Sequence, residues 1–181
     1  MWNAGRSRAA AALLLVLAPG VLEAQTGNAD DAAFLRAVGE YFGTPAGEVV
    51  VLTRWNLSTA EIPVVLRLAT RAGVPPDVVV AQRRRGAGWL EIARSYSVHA
   101  GDFHVPINGS PGFLAGAYER FRARVASEWR DVSLSDEELV GLVNVRFLSR
   151  SLGVPASSVV RELSGGDVVA AYTRLSGRDG P

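Results

Sequence analysis

Three Gly-x-Pro turns, at residues 43–45, 73–75 and 153–155, are the feature that most constrains this chain. Glycine ends a helix readily because it tolerates left-handed backbone angles, and proline starts one because its missing N–H needs no partner in the first turn. The middle turn belongs to the most informative stretch, residues 72–98. That stretch predicts a helix ending at Gly73, a second helix over 75–85 and a third from Trp89 onward.

The first two turns belong to a repeat. At a constant offset and without a gap, Val49 pairs with Val79 and Glu61 with Glu91, and a degraded fourth copy begins at Ser97. Helical hairpins of this kind cannot bury their apolar faces alone and must stack on one another. We therefore predict an all-α protein, a compact bundle or short curved stack of helical hairpins with about eight to nine helices.

Helix boundaries follow from capping patterns. Capping boxes of the form S-x-x-E occur at residues 58–61 and 135–138, and Asp30 or Asp31 can cap the first helix after a loose segment at 25–29. Residues 113–130 read as the longest amphipathic helix, with an apolar stripe that includes its Val125 and Trp129. Residues 49–52 are expected to form a buried stripe of their own helix.

The N-terminus has the layout of a secretory signal peptide. Arg6 and Arg8 precede an apolar run at residues 9–18, a Pro-Gly pair breaks that run, and Ala24 offers a cleavage point. The run is too short to span a bilayer unaided, so a retained membrane anchor is the less favoured alternative. We expect residues 1–24 to be removed and the rest exported to a bacterial periplasm or the medium, with no transmembrane segment left.

Residues 105–112 form the one convincing linker, because they hold two prolines and two glycines. The linker divides the mature chain into an N-terminal helical-hairpin half, residues 25–104, and a C-terminal helical half, residues 113–181. The two halves are similar in size and can still share one core.

Composition excludes some partners. The chain carries 19 basic and 18 acidic side chains, and the numbers of positive and negative charges become equal once residues 1–24 are removed. A chain without net charge has no general attraction to nucleic acid or anionic membranes. Every basic residue is arginine, which we interpret first as coding bias; a selected arginine-rich surface is the alternative. There is no cysteine, and a chain of this length can bury enough apolar surface to fold without disulfides.

Residues 91–98, EIARSYSV, resemble the turn of a helix-turn-helix unit, because Ala93 is followed four positions later by a small residue and then an apolar one. Ala69 and Gly73 repeat that spacing. The resemblance covers about 20 residues each time and implies that the helix over 75–85 would read a DNA groove with Gln82 and the arginines at 83–85. The balanced charge and the signal peptide argue against that use.

The most basic spot on the chain is Arg83-Arg84-Arg85, with Trp89 at the start of the next helix. Cations at a helix C-terminus complement the helix dipole, and successive residues point in different directions, so a structural role explains them. The functional alternative is a site for an anionic envelope component, such as a phosphate-bearing lipid, or for an acidic protein. Arg83, Arg84, Arg85 and Trp89 are accordingly the candidate binding residues.

His99, Asp102 and His104 are the only cluster of metal-ligand types. The histidine spacing does not place both on one helix face, although a turn could bring them together, and a three-ligand site would be open and could be catalytic. No nucleophile elbow, phosphate loop or dinucleotide fingerprint is present. We therefore assign no catalytic residue and predict no cofactor.

These observations favour an exported helical-repeat protein that binds or scaffolds, with another envelope protein as the expected partner. Binding would use the corner at residues 83–89 or a groove between the two halves. Catalysis stays open as an alternative, in the form of a metal-dependent hydrolase at His99, Asp102 and His104. A helix-turn-helix DNA-binding protein is the third hypothesis, and it requires that the N-terminus is not a signal peptide.

Overall fold

The computed structural model describes the backbone of residues 19–177 and the side chains of residues 29–177. This part of the chain is all-α, as predicted, and has no strand. Its α-helices are α1 Pro19–Phe42, α2 Ala46–Thr53, α3 Ile62–Ala72, α4 Pro76–Arg84, α5 Trp89–Ser95, α6 Ala115–Arg122, α7 Asp136–Leu152, α8 Ala156–Leu163 and α9 Val168–Leu175. Short 3-10 helices span Thr59–Glu61, Ala100–Phe103, Gly112–Leu114 and Ala126–Asp131.

Helix α7 is the centre of the packing. It contacts α1, α3, α5, α8 and α9, and buried side chains are distributed along most of its length. These side chains join one buried cluster that runs from Phe34 in α1 to Tyr172 in α9 and draws residues from both sides of segment 105–112. The two halves therefore contribute to one hydrophobic core.

The three Gly-x-Pro turns have the same geometry. The backbone angle φ is 66° at Gly43, 67° at Gly73 and 68° at Gly153. The residue after each glycine donates its N–H back to a carbonyl of the preceding helix, with N···O distances of 2.9 to 3.1 Å. This closure satisfies a carbonyl that the helix end would otherwise leave unpaired.

Ser97 occupies the glycine position of the fourth copy. Its φ is 58°, and Val98 donates its N–H to the carbonyl of Ala93 at 2.9 Å, as in the three glycine turns. The repeat therefore recurs here without its glycine. A residue with a Cβ atom is strained in this conformation, whereas glycine is not.

Replacing Ser97 with glycine is expected to raise the free energy of unfolding by about 0.5 kcal/mol, because relief of backbone strain outweighs the greater freedom of glycine in the unfolded chain. The serine side chain is exposed, so little packing is lost. Urea unfolding measures the change. As the opposite control, Gly73→Ala introduces the same strain and should cost about 1 kcal/mol; a destabilised Ser97→Gly variant would contradict the assignment of this turn.

The first helix begins earlier than the sequence predicted. Residues 25–29 are helical rather than loose, and α1 passes through Asp30 and Asp31 instead of being capped by them. Pro19 is the first described residue of α1. The apolar run at 9–18 that carries the signal-peptide prediction lies outside the described residues. The expected cleavage point after Ala24 falls within α1, before Ala33, which is the first buried side chain among residues 29–177.

The prediction of one long helix over residues 113–130 was wrong. Only Ala115–Arg122 is α-helical; Val125 has extended backbone and is 62% exposed. Trp129 folds back and donates its indole N–H to the carbonyl of Phe121 at 2.9 Å, a carbonyl that a continuous helix would pair with the N–H of Val125.

The predicted stripe at residues 49–52 is only half buried. Val49 and Leu52 face the core, whereas Val50 and Val51 are 45% and 41% exposed. The helical period of 3.6 residues explains the pattern, because four consecutive side chains cannot share one face.

Candidate functional site

Arg83, the first of the three consecutive arginines, is held by two carboxylates. Its Nη2 lies 2.9 Å from Oε1 of Glu61, and its Nη1 donates to Oδ2 of Asp136. The guanidinium carbon lies 4.7 Å from the centre of the Trp89 ring, within cation–π distance. The end of α4 is thereby tied to the start of α3 and the start of α7.

Trp89 is fully buried and donates to the same two carboxylates. Its indole Nε1 lies 3.1 Å from Oε1 of Glu61, and its backbone nitrogen lies 2.7 Å from Oδ1 of Asp136. As the first residue of α5, Trp89 has a backbone N–H without a partner in its own helix. Asp136, on α7, therefore caps α5 from another part of the chain.

The structure thus brings Arg83 and Trp89 together, but both residues already have hydrogen-bond partners within the protein. Arg84 and Arg85 are exposed, and neither forms an ion pair with any residue of the described chain. Gln82 donates its amide N–H to the Tyr96 hydroxyl at 2.6 Å. Among the polar side chains proposed to read DNA, only Arg84 and Arg85 are exposed and without an ion-pair partner in the described chain.

Glu61 and Arg83 each favour the charged form of the other. Burial alone would raise the pKa of Glu61, but hydrogen bonds from Ser58, Arg83 and Trp89 outweigh burial and lower that pKa below its ordinary 4.5. Burial likewise opposes the charge on Arg83, while Asp136 and Glu61 together raise the pKa of its guanidinium. Both groups are therefore charged at neutral pH.

His99, Asp102 and His104 have separate structural roles. Asp102 accepts the backbone N–H of His99 at 2.8 Å, which caps the 3-10 helix Ala100–Phe103, and its other carboxylate oxygen pairs with Arg71 at 2.9 Å. The ring of His104 packs on Trp129, with centroids 4.2 Å apart. The three residues do not assemble into a ligand set, and across the described side chains no group of three such ligands could hold a metal ion.

Acid should weaken the fold through His104. Burial, and then the charge of Arg146, lower the pKa of His104 below 6.5, so the unfolded chain binds its proton more readily. Stability is therefore expected to fall as the pH drops through 6.5. His104→Phe, which keeps a ring among Tyr118, Phe121 and Trp129, should reduce that loss. Urea titrations at about pH 7.5 and about pH 5 measure it; an equal loss in both proteins would contradict the assignment.

A groove of about 530 Å³ lies between the two halves of the chain. One wall comes from residues 58–61 and Arg83, and the other comes from Phe113, the first half of α7 and the loop before α9. The apolar lining side chains are Ala60, Phe113, Val140, Leu163 and Val168. We call this feature the central groove.

Carboxylates outnumber cations around the central groove. Glu61, Asp136 and Glu137 line it together with Arg83. A second hollow of about 490 Å³ shares Ser58, Ala60, Gly166 and Val168 with the groove, and it adds three further carboxylates, Asp30, Asp31 and Asp167. The combined surface therefore carries an excess of negative charge.

Asn144 lines the central groove and is 1% exposed. Its amide nitrogen donates to the carbonyls of Ala60 and Val140, both at 2.9 Å. Its Oδ1 is buried and accepts no hydrogen bond from the protein. A buried acceptor without a donor costs about 1 to 3 kcal/mol, so Asn144 is held in place at a local cost in stability.

Sequence reasoning did not single out Asn144, although Arg83, a candidate binding residue, also lines the central groove. A signal was available, because Asn144 interrupts the apolar run of α7 at a position that helical periodicity places inside the protein. The groove itself depends on how α7 packs against residues 58–61, and periodicity does not give that arrangement.

Comparisons with models of known protein families, with curated proteins and with solved structures gave no match in any of the three. Among the described helices, none combines the length and the apolar character needed to cross a membrane. Functional inference for this chain therefore depends on the geometry of its own side chains.

Proposed function

We propose that this protein is an exported, non-catalytic binding protein whose central groove holds a polypeptide segment with both apolar and cationic side chains. The observation that carries the proposal is the groove, a concave site between the two halves with apolar walls and acidic surroundings. Concave, largely apolar sites with a few polar groups are typical of ligand binding in proteins.

The apolar part of the groove supports an occupant with hydrophobic side chains. Phe113 is 44% exposed although it is a large aromatic residue, and it stands beside Val140 and Leu163 in the groove. Aromatic rings in such positions commonly anchor binding partners. A segment that placed an apolar side chain against Phe113 would remove this surface from water.

The polar part of the groove supports an occupant that donates hydrogen bonds and carries positive charge. Asp30, Asp31 and Glu137 line the central groove or the adjoining hollow, and they form no ion pair in the described part of the chain. Arg83, the cation that lines the groove, is already paired with two carboxylates. Lysine or arginine side chains on the partner would complement this surface.

The hydrolase and DNA-binding hypotheses have no comparable support. His99, Asp102 and His104 serve a helix cap and an aromatic cluster, and Gln82 and Arg83 are engaged inside the protein. We therefore do not propose either activity.

Export is tested by fractionating cells that express the full chain and determining the mass and N-terminal residue of the product. The proposal predicts a chain beginning near Gln25 in the envelope or the medium. A chain that keeps Met1 and stays in the cytoplasm would contradict export, and it would leave peptide binding to be judged by its own experiment.

Peptide binding is tested with synthetic peptides that alternate leucine and arginine, compared with the same peptides carrying glutamate in place of arginine. Because the chain has no cysteine, Ser164→Cys places a single fluorescent label at the groove. We expect saturable binding of the arginine peptides alone. Combining Asp30→Asn, Asp31→Asn and Glu137→Gln should weaken that binding about tenfold.

The matched control removes three exposed acids that do not line the groove: Glu119→Gln, Glu128→Gln and Asp131→Asn. Both triple variants change the net charge equally, so a general electrostatic attraction would weaken in both. Equal weakening in the two variants, or equal binding of the glutamate peptides, would contradict the proposed site.

A further inference from the structure

Four arginines converge where α3 packs against α7. Arg67 and Arg71 lie one helical turn apart on α3, and Arg146 and Arg150 lie one turn apart on α7. We call these four residues the arginine cluster. It shares no residue with the central groove, and on α7 its two members lie on the side of the helix opposite Gly141 and Asn144.

Two members of the cluster meet at a single oxygen atom. Nη2 of Arg67 lies 2.8 Å from the backbone carbonyl oxygen of Asp102, and Nη2 of Arg146 lies 3.1 Å from the same oxygen. Nη2 of Arg146 also donates to the carbonyl of His104 at 2.7 Å. Two half-buried guanidinium groups are therefore held side by side.

The positive charge of the cluster is largely uncompensated. The carboxylate of Asp102 pairs with Arg71, and the other three arginines have no carboxylate partner in the described chain. Nε of Arg67 and Nε of Arg146 are buried and donate to nothing. Burial, and then the charge of Arg146, lower the pKa of Arg67 to about 10, so it still carries its charge at neutral pH.

Support of the segment at 99–104 explains only part of this arrangement. The hydrogen bonds to this segment leave two like charges beside each other, because a carbonyl dipole does not neutralise a guanidinium ion. A doubly charged oxyanion would do so, and the planar fork of arginine matches the oxygen spacing of phosphate.

We propose that the arginine cluster is a binding site for a phosphate group, presented by a soluble phosphate compound or by a lipid headgroup. The two exposed members, Arg71 and Arg150, contact the phosphate first. The two half-buried members, Arg67 and Arg146, supply the fixed charge behind them.

The first experiment titrates the purified protein with inorganic phosphate in a calorimeter, with chloride at equal ionic strength as reference. Arg71→Gln combined with Arg150→Gln is expected to weaken phosphate binding about tenfold. The control combines Arg84→Gln with Arg85→Gln, which removes two exposed arginines at the end of α4 and should change the affinity by less than about twofold. Equal losses in the two double variants would overturn the proposal.

Arg146→Gln separates a binding role from a structural one. The glutamine amide is too short to reach the carbonyls of Asp102 and His104, so the melting temperature without phosphate should fall, and phosphate binding should weaken because one of two adjacent charges is lost. If the melting temperature falls and phosphate affinity is unchanged, Arg146 is only a structural support and the proposal fails.

Vesicles distinguish the two sources of the phosphate group. Phosphatidylcholine vesicles with and without phosphatidic acid are sedimented with the protein. Retention by phosphatidic acid that is lost with Arg71→Gln and Arg150→Gln assigns the site to a lipid headgroup, whereas phosphate binding in solution without retention assigns it to a soluble compound. Binding of neither probe beyond the chloride reference overturns the proposal.

Discussion

Replacing Phe147 with alanine is expected to lower the free energy of unfolding by about 4 kcal/mol. The ring is fully buried on α7, and its centroid lies 5.7 Å from that of Phe34 and 5.3 Å from that of Tyr41, both on α1. The substitution removes these aromatic contacts between α1 and α7 and leaves a cavity that neighbouring rings can fill only in part. Urea unfolding followed by circular dichroism measures the loss.

Phe113→Ala is the matched control for this measurement, because it deletes the same atoms from a ring that is 44% exposed. It should cost about 1 kcal/mol or less. If the two alanine variants were equally stable, α1 would not be packed on α7 in the way that the aromatic contacts describe.

Replacing Glu61 with alanine is the second large effect, and we expect it to cost about 3 kcal/mol. The Glu61 carboxylate accepts from the backbone N–H and hydroxyl of Ser58, from the guanidinium of Arg83 and from the indole of Trp89. Its loss would leave the buried indole N–H without an acceptor. Arg83 would keep Asp136 as a partner, so its charge would not be left unpaired.

Glu138 provides the comparison for Glu61. It belongs to the second capping box, where it accepts from the N–H of Ser135, and it also pairs with Arg120. Because that pair is more exposed and no buried donor depends on it, Glu138→Ala should cost about 1 kcal/mol. Equal costs for the two substitutions would mean that the ties from Glu61 to Arg83 and Trp89 contribute nothing beyond a helix cap.

The pH dependence offers an independent check on Glu61. Because its pKa is lower in the folded protein, its contribution is complete above pH 4.5 and is lost as the pH falls through the folded-state value. The Glu61→Ala variant should therefore lose less stability below pH 4.5 than the original protein. The effect expected from His104 begins near pH 6.5, so the two can be observed separately.

Local chemistry was enough to predict most of the architecture. Gly73 and Gly153 end helices in left-handed geometry, and Ser135 caps α7 as its capping box requires. Each of these outcomes depends on a few adjacent residues, so the sequence alone contains the information. The fourth turn at Ser97 extends the same reasoning, because its hydrogen bond survives the loss of glycine.

Contacts between distant segments account for what sequence reasoning missed. The helix expected through Val125 is broken because Trp129 packs on His104, a residue that lies before the linker. Likewise, Arg83 and Trp89 were candidates for an exposed surface, yet Asp136 reaches them from the far side of the linker. The spacing of residues along one helix contains no information about such partners.

The contact between α1 and α9 joins two segments that are made at different times during synthesis. The first helix, α1, packs against the last, α9, where Phe34 meets Tyr172 with ring centroids 5.8 Å apart. During synthesis from the N-terminus, Phe34 is made well before its partner on α9, Tyr172. The contact between α1 and α9 therefore cannot form until α9 has left the ribosome.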